Sequence, residues 1–307
     1  MIPLLVIGGP TASGKTAVGI RLAKLLHGEI ISADSMQVYR HMDIGTAKPD
    51  LKERDGVTHH LLDIVEPTEN FSLAQYVPLA HQKIEEIHAR GKLPIMVGGT
   101  GLYIDTVVQN IKLGEQEGET NAVREKLMRQ VEEKGSAWLH EYLKKIDPES
   151  AEKIHENNIK RLVRAVEVYE LTGMTMSEHN RRSRLEPPRY RTYYMALEHD
   201  RETLYNRIDR RVDFMMEQGL LVEVQECVAL GAGRQHTSMQ AIGYRQMLDY
   251  LEGTCSLQEA VDKIKQESRR YAKRQLTWFR RSVQHWMPPE GVREDEMIKW
   301  AKGEMEL

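Results

Sequence analysis

Apolar and polar positions change rhythm twice along this 307-residue chain. In the first third, short unbroken apolar runs alternate with longer amphipathic stretches. Leu4–Ile7, Glu29–Ala33, His60–Val65 and Leu93–Val97 read as strands, and Lys15–His27 as a helix. A second helix is opened by Ser72, with Gln75 at capping-box spacing, and is ended by Gly91. Unbroken apolar strands separated by helices imply parallel pairing in a sheet covered on both faces. A polar stretch, Lys112–Thr120 with Gly114 and Gly118, then leads into a purely helical rhythm. Val123, Leu127 and Val131 lie four apart, and Trp138, Leu139, Tyr142, Leu143 and Ile146 form a second stripe. Asp147-Pro148 opens a further helix and Gly173 stops the helix Ile159–Leu171. The strand rhythm returns at Thr192–Leu197. Helices follow over Arg201–Gln218, Leu220–Leu230, Ala241–Leu251 and Leu257–Arg281, with an edge strand at Gln284–Met287. The pattern predicts a discontinuous α/β core over 1–113 and 186–307, interrupted by a small all-helical insertion over 114–185.

Composition narrows the class. The hydrophobic content of 40% and charged content of 29% fit a soluble globular protein. No apolar stretch approaches a membrane span, and the start has no signal-peptide pattern, so a cytoplasmic protein is expected. Two cysteines, Cys227 and Cys255, suit a reducing compartment and form no ligand cluster. A net charge of −3 excludes a uniformly basic coat but leaves room for local basic faces.

Residues 8–16, Gly-Gly-Pro-Thr-Ala-Ser-Gly-Lys-Thr, stand between a strand and a helix, the context a phosphate loop requires. Gly9, Thr11, Ala12, Ser13 and Gly14 can turn backbone N–H groups onto an anion at a helix start. Lys15 brings a charge to the terminal phosphates and the Thr16 hydroxyl is the candidate ligand for Mg²⁺. The core is therefore expected to be like that of the phosphate-loop nucleoside triphosphatases, a parallel sheet flanked by helices. Asp34 lies just past the second strand, at the sheet edge where such folds bind ligands. It is a candidate to hold metal, orient water or act as a base, and equally to cap a helix. The fourth strand ends in Gly98-Gly99-Thr100 where many ATPases carry an aspartate; Thr100 either serves the site or caps the next helix.

Basic residues cluster three times: Lys160, Arg161 and Arg164; Arg181, Arg182, Arg184, Arg189 and Arg191; and Arg269, Arg270, Lys273, Arg274, Arg280 and Arg281. Such clusters in a net-acidic chain point to a polyanion. Arg207 and Arg211 share one side of a helix and can grip phosphates or pair with Glu202 and Asp213. The segment Gln240–Gln246 can contact bases or simply pack. The adjacent His59 and His60 face opposite ways on a strand and form no metal site.

Taken together, the motifs resemble those of the tRNA dimethylallyltransferases, also called tRNA isopentenyltransferases. The matching stretches are Gly9–Thr16, Asp34–Tyr39, Gly98–Tyr103, Lys160–Arg164, Ile242–Gln246 and Ala272–Trp278. The resemblance implies transfer of a dimethylallyl group from its diphosphate to N6 of the adenosine 3′ to the anticodon in tRNA. By resemblance, the phosphate loop binds the diphosphate, Lys15, Mg²⁺ and Arg211 stabilise the leaving group, Asp34 takes the amine proton, and Thr100 sits at the reaction centre. Ser35, Met36, Gln37, Arg124, Lys160, Arg161, Arg164, Gln240, Gly243, Tyr244 and Arg245 would contact the tRNA, whose target base must leave its stack. The insertion would clasp the anticodon stem-loop. A monomer is expected. Rival readings are a phosphate-loop kinase, an isopentenyltransferase acting on free adenine nucleotides, and a non-catalytic RNA-binding regulator. The basic clusters and the insertion disfavour the first two, and Asp34 beside an intact loop disfavours the third.

Overall fold

The computed structural model describes residues 1–112, 120–183 and 186–304. The glycines of the polar linker, Gly114 and Gly118, and Arg184 of the second basic cluster lie outside them. Two compact units are formed: Met1–Val108 with Arg189–Leu307, and Gln109–Pro188.

The first unit is built on β1 (Ile2–Gly8), α1 (Lys15–Leu25), β2 (Gly28–Ser32), the single turn α2 (Leu51–Arg54), β3 (His59–His60), α3 (Leu73–Ala89), β4 (Leu93–Val97) and α4 (Gly101–Val108). The second unit is wholly helical among its described residues: α5 (Thr120–Lys134), α6 (Ser136–Ile146), α7 (Pro148–Lys153), α8 (Ile159–Thr172) and α9 (Met176–Ser183). The chain then returns to the first unit with β5 (Tyr190–Leu197), α10 (Arg201–Glu217), α11 (Leu220–Ala229), α12 (Tyr244–Leu251), α13 (Leu257–Phe279), β6 (His285–Met287) and α14 (Glu294–Lys302).

All six strands run parallel, in the order β3-β2-β4-β1-β5-β6. The central strand β1 is buried throughout Leu4–Ile7 because both sheet faces are covered, which is why it reads as an unbroken apolar run. Leu22, Ile95, Met195 and Leu197 pack with it, and α14 adds Met297 and Trp300 to the same core. The capping box Ser72–Gln75 is present at α3. In the helical unit, Leu127, Leu139, Leu143, Leu162 and Val166 form a separate core, and Asp147 caps α7 with Pro148 at its first position.

Three expectations shift. The strand expected over His60–Val65 shrinks to His59–His60, because Leu61 and Asp63 adopt positive φ values of 61° and 55° and break the ladder. Only Val65 rejoins, in a single bridge to Tyr39. The helix expected from Ala241 starts at Tyr244, since Gly243 takes φ 101°. Helix α14 carries a weak apolar signal and is not anticipated by the sequence pattern.

Candidate active site

The loop after β1 turns tightly into α1: Ala12 has φ 62°, and Gly14, the N-cap, has φ 92°. Lys15 folds its ammonium back onto the Pro10 carbonyl at 2.6 Å. Desolvation in this enclosed pocket, reinforced by the nearby Arg211 guanidinium and opposed by Asp34, pulls Lys15 down to about 7. A lysine held there gains its charge most readily when an anion arrives. The Ser13 hydroxyl is fully buried and has no partner among the described residues.

Two cavities of the first unit meet at this loop. The smaller, of about 90 Å³, is walled by Lys15, Thr16, Ser32, Asp34, Gln37 and Gly99 among others. The larger, of about 350 Å³, carries Ser35, Met36, Gln240, Arg245 and an apolar wall of Ile208, Val212, Met215, Ile242 and Ile264. Thr11, Asp34, Thr46, Arg211 and Tyr271 line both. A group bound through phosphate on one side therefore meets a group entering from the other beside the Asp34 carboxylate.

Asp34 caps no helix. Its Oδ1 accepts the Met36 N–H at 2.9 Å, an Asx turn that steadies the carboxylate. Thr100 does not use its side chain as a cap either: its Oγ1 accepts the Ser35 N–H at 3.1 Å, tying the end of β4 to the Asp34 loop. Arg211 leans on the Thr46 carbonyl at 3.5 Å, and Arg207 donates Nε to the Ala12 carbonyl at 2.8 Å. Neither pairs with Glu202 or Asp213, and both are turned to the phosphate loop.

Several sequence expectations change in space. Gln37 lines the smaller, phosphate-side cavity and not the larger one that holds Ser35 and Met36. Tyr244 is fully buried and bonds Glu223, so its phenol supports the fold instead of reaching an RNA base. Gly243, also buried, donates its N–H to Gln246 Oε1 at 2.9 Å. Gln240 is exposed and bonds the Arg234 carbonyl; Arg245 lies 3.6 Å from Glu267. The Thr11 N–H, expected to face phosphate, is held by Gln275 Oε1 at 2.8 Å.

The basic clusters are less unbalanced than the linear sequence implies. Arg269 pairs with Asp209, Arg270 lies 3.2 Å from Glu267, Arg189 lies 2.6 Å from Glu85, and Arg191 covers the Trp300 ring. In the helical unit Arg124 and Arg164 share the buried Glu167 at 2.9 and 2.8 Å, while Lys160 and Arg161 stand exposed.

Sequence reasoning missed Thr46, Glu223, Tyr271 and Gln275. Gln275 lies inside the Ala272–Trp278 motif, so a signal existed. Its buried amide joins Thr11 N–H to the Gly99 carbonyl, the latter at 2.9 Å. A Cβ on Gly99 would come within 2.4 Å of that amide, which is why glycine stands there.

The oxygens on the smaller cavity suit a hard cation carried in with phosphate. Thr16, Ser32, Asp34 and Gln37 offer hydroxyl, carboxylate and amide donors, and no cluster of three or more His, Cys, Asp or Glu residues exists among the described residues to cage a resident ion.

A parallel sheet with a phosphate loop at its carboxyl edge, and one carboxylate common to a phosphate cavity and an acceptor cavity, defines a phosphate-loop enzyme of the group-transferring kind. The comparisons agree. The family model described as IPP transferase matches residues 37–282, beginning just past Asp34. The tRNA dimethylallyltransferase of Acetivibrio thermocellus is 49% identical over 296 residues, 96% of this chain and 94% of that protein. That of Halalkalibacterium halodurans is 50% identical over 277 residues, covering 90% and 88%. The crystal structure of the tRNA isopentenylpyrophosphate transferase from Bacillus halodurans superposes with a TM-score of 0.71 at 46% identity, covering 99% of this chain and 95% of that one. A eukaryotic dimethylallyltransferase described as acting on tRNA gives a TM-score of 0.78 at 31% identity, covering 91% and 70%. The chain belongs to the IPP transferase family.

Proposed function

We propose that this protein transfers a dimethylallyl group from dimethylallyl diphosphate to N6 of the adenosine 3′-adjacent to the anticodon in tRNA, releasing diphosphate. The observation that carries the reading is that Asp34 and Arg211 line both cavities. The donor's diphosphate occupies the side of Gly9–Thr16, and its isoprenoid end and the extruded adenine meet at the shared wall. The exocyclic amine is a weak nucleophile because its lone pair is delocalised into the ring. As that pair forms the new N6–C1 bond, the C1–O bond breaks, its electrons leave with diphosphate, and the amine proton passes to Asp34. Lys15 and Arg211 offset the charge growing on the leaving group. Thr16, with Asp34 nearby, would hold Mg²⁺, which supplies further neutralisation of the diphosphate when bound. Thr100 lines neither cavity; bonded through Oγ1 to the Ser35 N–H, it would act by holding the Asp34–Ser35 loop in place.

Ser35, Met36, Gln240 and Arg245 lie on the acceptor side and are suited to contact the RNA. Arg124, Lys160, Arg161 and Arg164 of the helical insertion would position it through phosphates, while splayed bases supply specificity. A tRNA substrate and two free thiols fit a cytoplasmic enzyme, and we take it to act as a monomer.

The test is mass spectrometry of tRNA nucleosides after incubation with dimethylallyl diphosphate and Mg²⁺ without ATP. N6-dimethylallyladenosine should form. Asp34→Ala should lower the rate by about 10²–10⁴-fold and leave tRNA binding nearly intact. A strict requirement for ATP would restore the kinase reading, and equal loss of binding and rate would make Asp34 a binding or folding residue.

A further inference from the structure

The turn Asp43–Gly45 is seated on an internal carboxylate. Glu223, at the start of α11 and 6% exposed, accepts the backbone N–H groups of Asp43 and Ile44 at 2.7 Å each and of Gly45 at 3.0 Å. It also accepts the Tyr244 hydroxyl. Three successive amides turned onto one anion form a concave nest, here filled by a residue 178 positions along the chain from Gly45. The Tyr244 ring presses on the same turn, and a Cβ on Gly45 would meet its Cε2 at 2.5 Å. A buried carboxylate is unfavourable unless its oxygens are satisfied, and an apolar side chain could fill the space without that demand. The arrangement calls for a role beyond packing.

The continuation of the turn supplies one. The carbonyls of Thr46 and Ala47 both accept Gln37 Nε2, each at 3.2 Å, and Ala47 is held at a positive φ of 45° to do so. Ser32 Oγ donates to Gln37 Oε1 at 3.0 Å. Two carbonyls cannot face an amide oxygen, so the orientation of this amide is dictated by its partners. Both Nε2 hydrogens are consumed, and what Gln37 has left is one lone pair on Oε1. Gln37 is among the residues that line the cavity of Lys15, Thr16 and Asp34. A diphosphate offers oxygen acceptors and no donor, so a fixed acceptor on that cavity serves a cation.

We propose that Gln37 is a ligand, direct or through one water, for the Mg²⁺ that accompanies the diphosphate, and that Glu223 and Tyr244 are positioning residues that aim it. The inference rests on the reading that the phosphate loop takes the diphosphate of the donor. Without the Glu223 seat, the turn relaxes, the Gln37 amide regains its freedom, and the acceptor is lost from the cavity.

Binding of Mn²⁺ to the full-length protein in the presence of inorganic diphosphate, followed by electron paramagnetic resonance, tests this without turnover. Gln37→Leu and Glu223→Gln should each weaken Mn²⁺ about tenfold or more, the usual effect of losing a ligand or its orienting partner. Diphosphate binding measured in EDTA should stay within about twofold of the wild type, since its amide and lysine contacts are untouched. Tyr244→Phe, which leaves the three amides in place, should give a smaller loss of Mn²⁺ and decides the matter if Glu223→Gln fails to fold. Equal weakening with and without metal would reduce the seat to a structural role and overturn the inference. So would unchanged Mn²⁺ affinity, including the case where Gln37→Leu instead loses preference for an adenosine-bearing stem-loop over an inosine-bearing one. A wild-type protein that binds no diphosphate would instead defeat the underlying reading of the loop.

Discussion

Lys15 shows how one residue can be tuned by enclosure. Its ammonium is desolvated and faces a second cation, so it stands near 7 instead of 10.5 before substrate arrives. A bound diphosphate adds two phosphoryl groups of opposite charge, which restores the protonated form. Binding must then take up a proton at alkaline pH. The sign for Lys15 follows: below about pH 7 it is already charged and contributes no slope, whereas above it its contribution to affinity falls as pH rises, by up to tenfold per unit. Calorimetry of diphosphate binding at pH 8 in two buffers of different ionisation enthalpy should report that uptake. An affinity independent of pH between 7 and 9 would mean that the lysine is charged throughout. Asp34 illustrates the limit of reading single positions. Its place after β2 suggested a cap as well as a metal-holding, water-orienting or basic group; the Asx turn with Met36 removes the cap and leaves Asp34 on the wall shared by two cavities.

Among elements, α13 carries most of the site's hidden structure. One face supplies Tyr271 and Gln275 to the cavities and loops, while Arg274 and Glu267 line the larger cavity and Arg270 lies 3.2 Å from Glu267. Replacing Arg270 and Arg274 by glutamate should weaken tRNA binding and reduce the slope of log affinity against log salt by about one to two. Binding measured across a salt series checks this, and an unchanged slope would remove the helix from the interface. Most of the strands, the phosphate loop and the Ser72–Gln75 capping box were legible because each is a local pattern with a local cause. The shortened β3 was not, since the positive φ at Leu61 and Asp63 falls on residues that do not advertise it. Nor was the Glu223 seat, whose partners lie far apart in sequence. The apparent excess of positive charge misled in part because Asp209 and Glu85 reach the arginines from other elements, while Glu167 and Glu267 pair with Arg164 and Arg270 of their own helices.

At the scale of the molecule, the two units have separate cores, so damage to one need not reach the other. Leu143, fully buried in the helical unit, should destabilise that unit by about 2–5 kcal/mol when changed to alanine. Hydrogen exchange should then accelerate over 120–183 and not over β1, and diphosphate binding should hold while tRNA affinity drops. Uniform acceleration across the chain would show that the units unfold together. The order of the sheet has a further consequence. The middle strand β1 pairs with β5 from Ile2–Tyr190 to Gly8–Ala196, across the whole insertion. While the chain is being synthesised, one flank of its most apolar strand stays open until the segment around residue 190 has emerged. The helical unit, made of local contacts, has every residue it needs before then. The helical unit can therefore complete its core before the sheet is closed, and the half-built sheet is the stage most exposed to capture by chaperones or to aggregation.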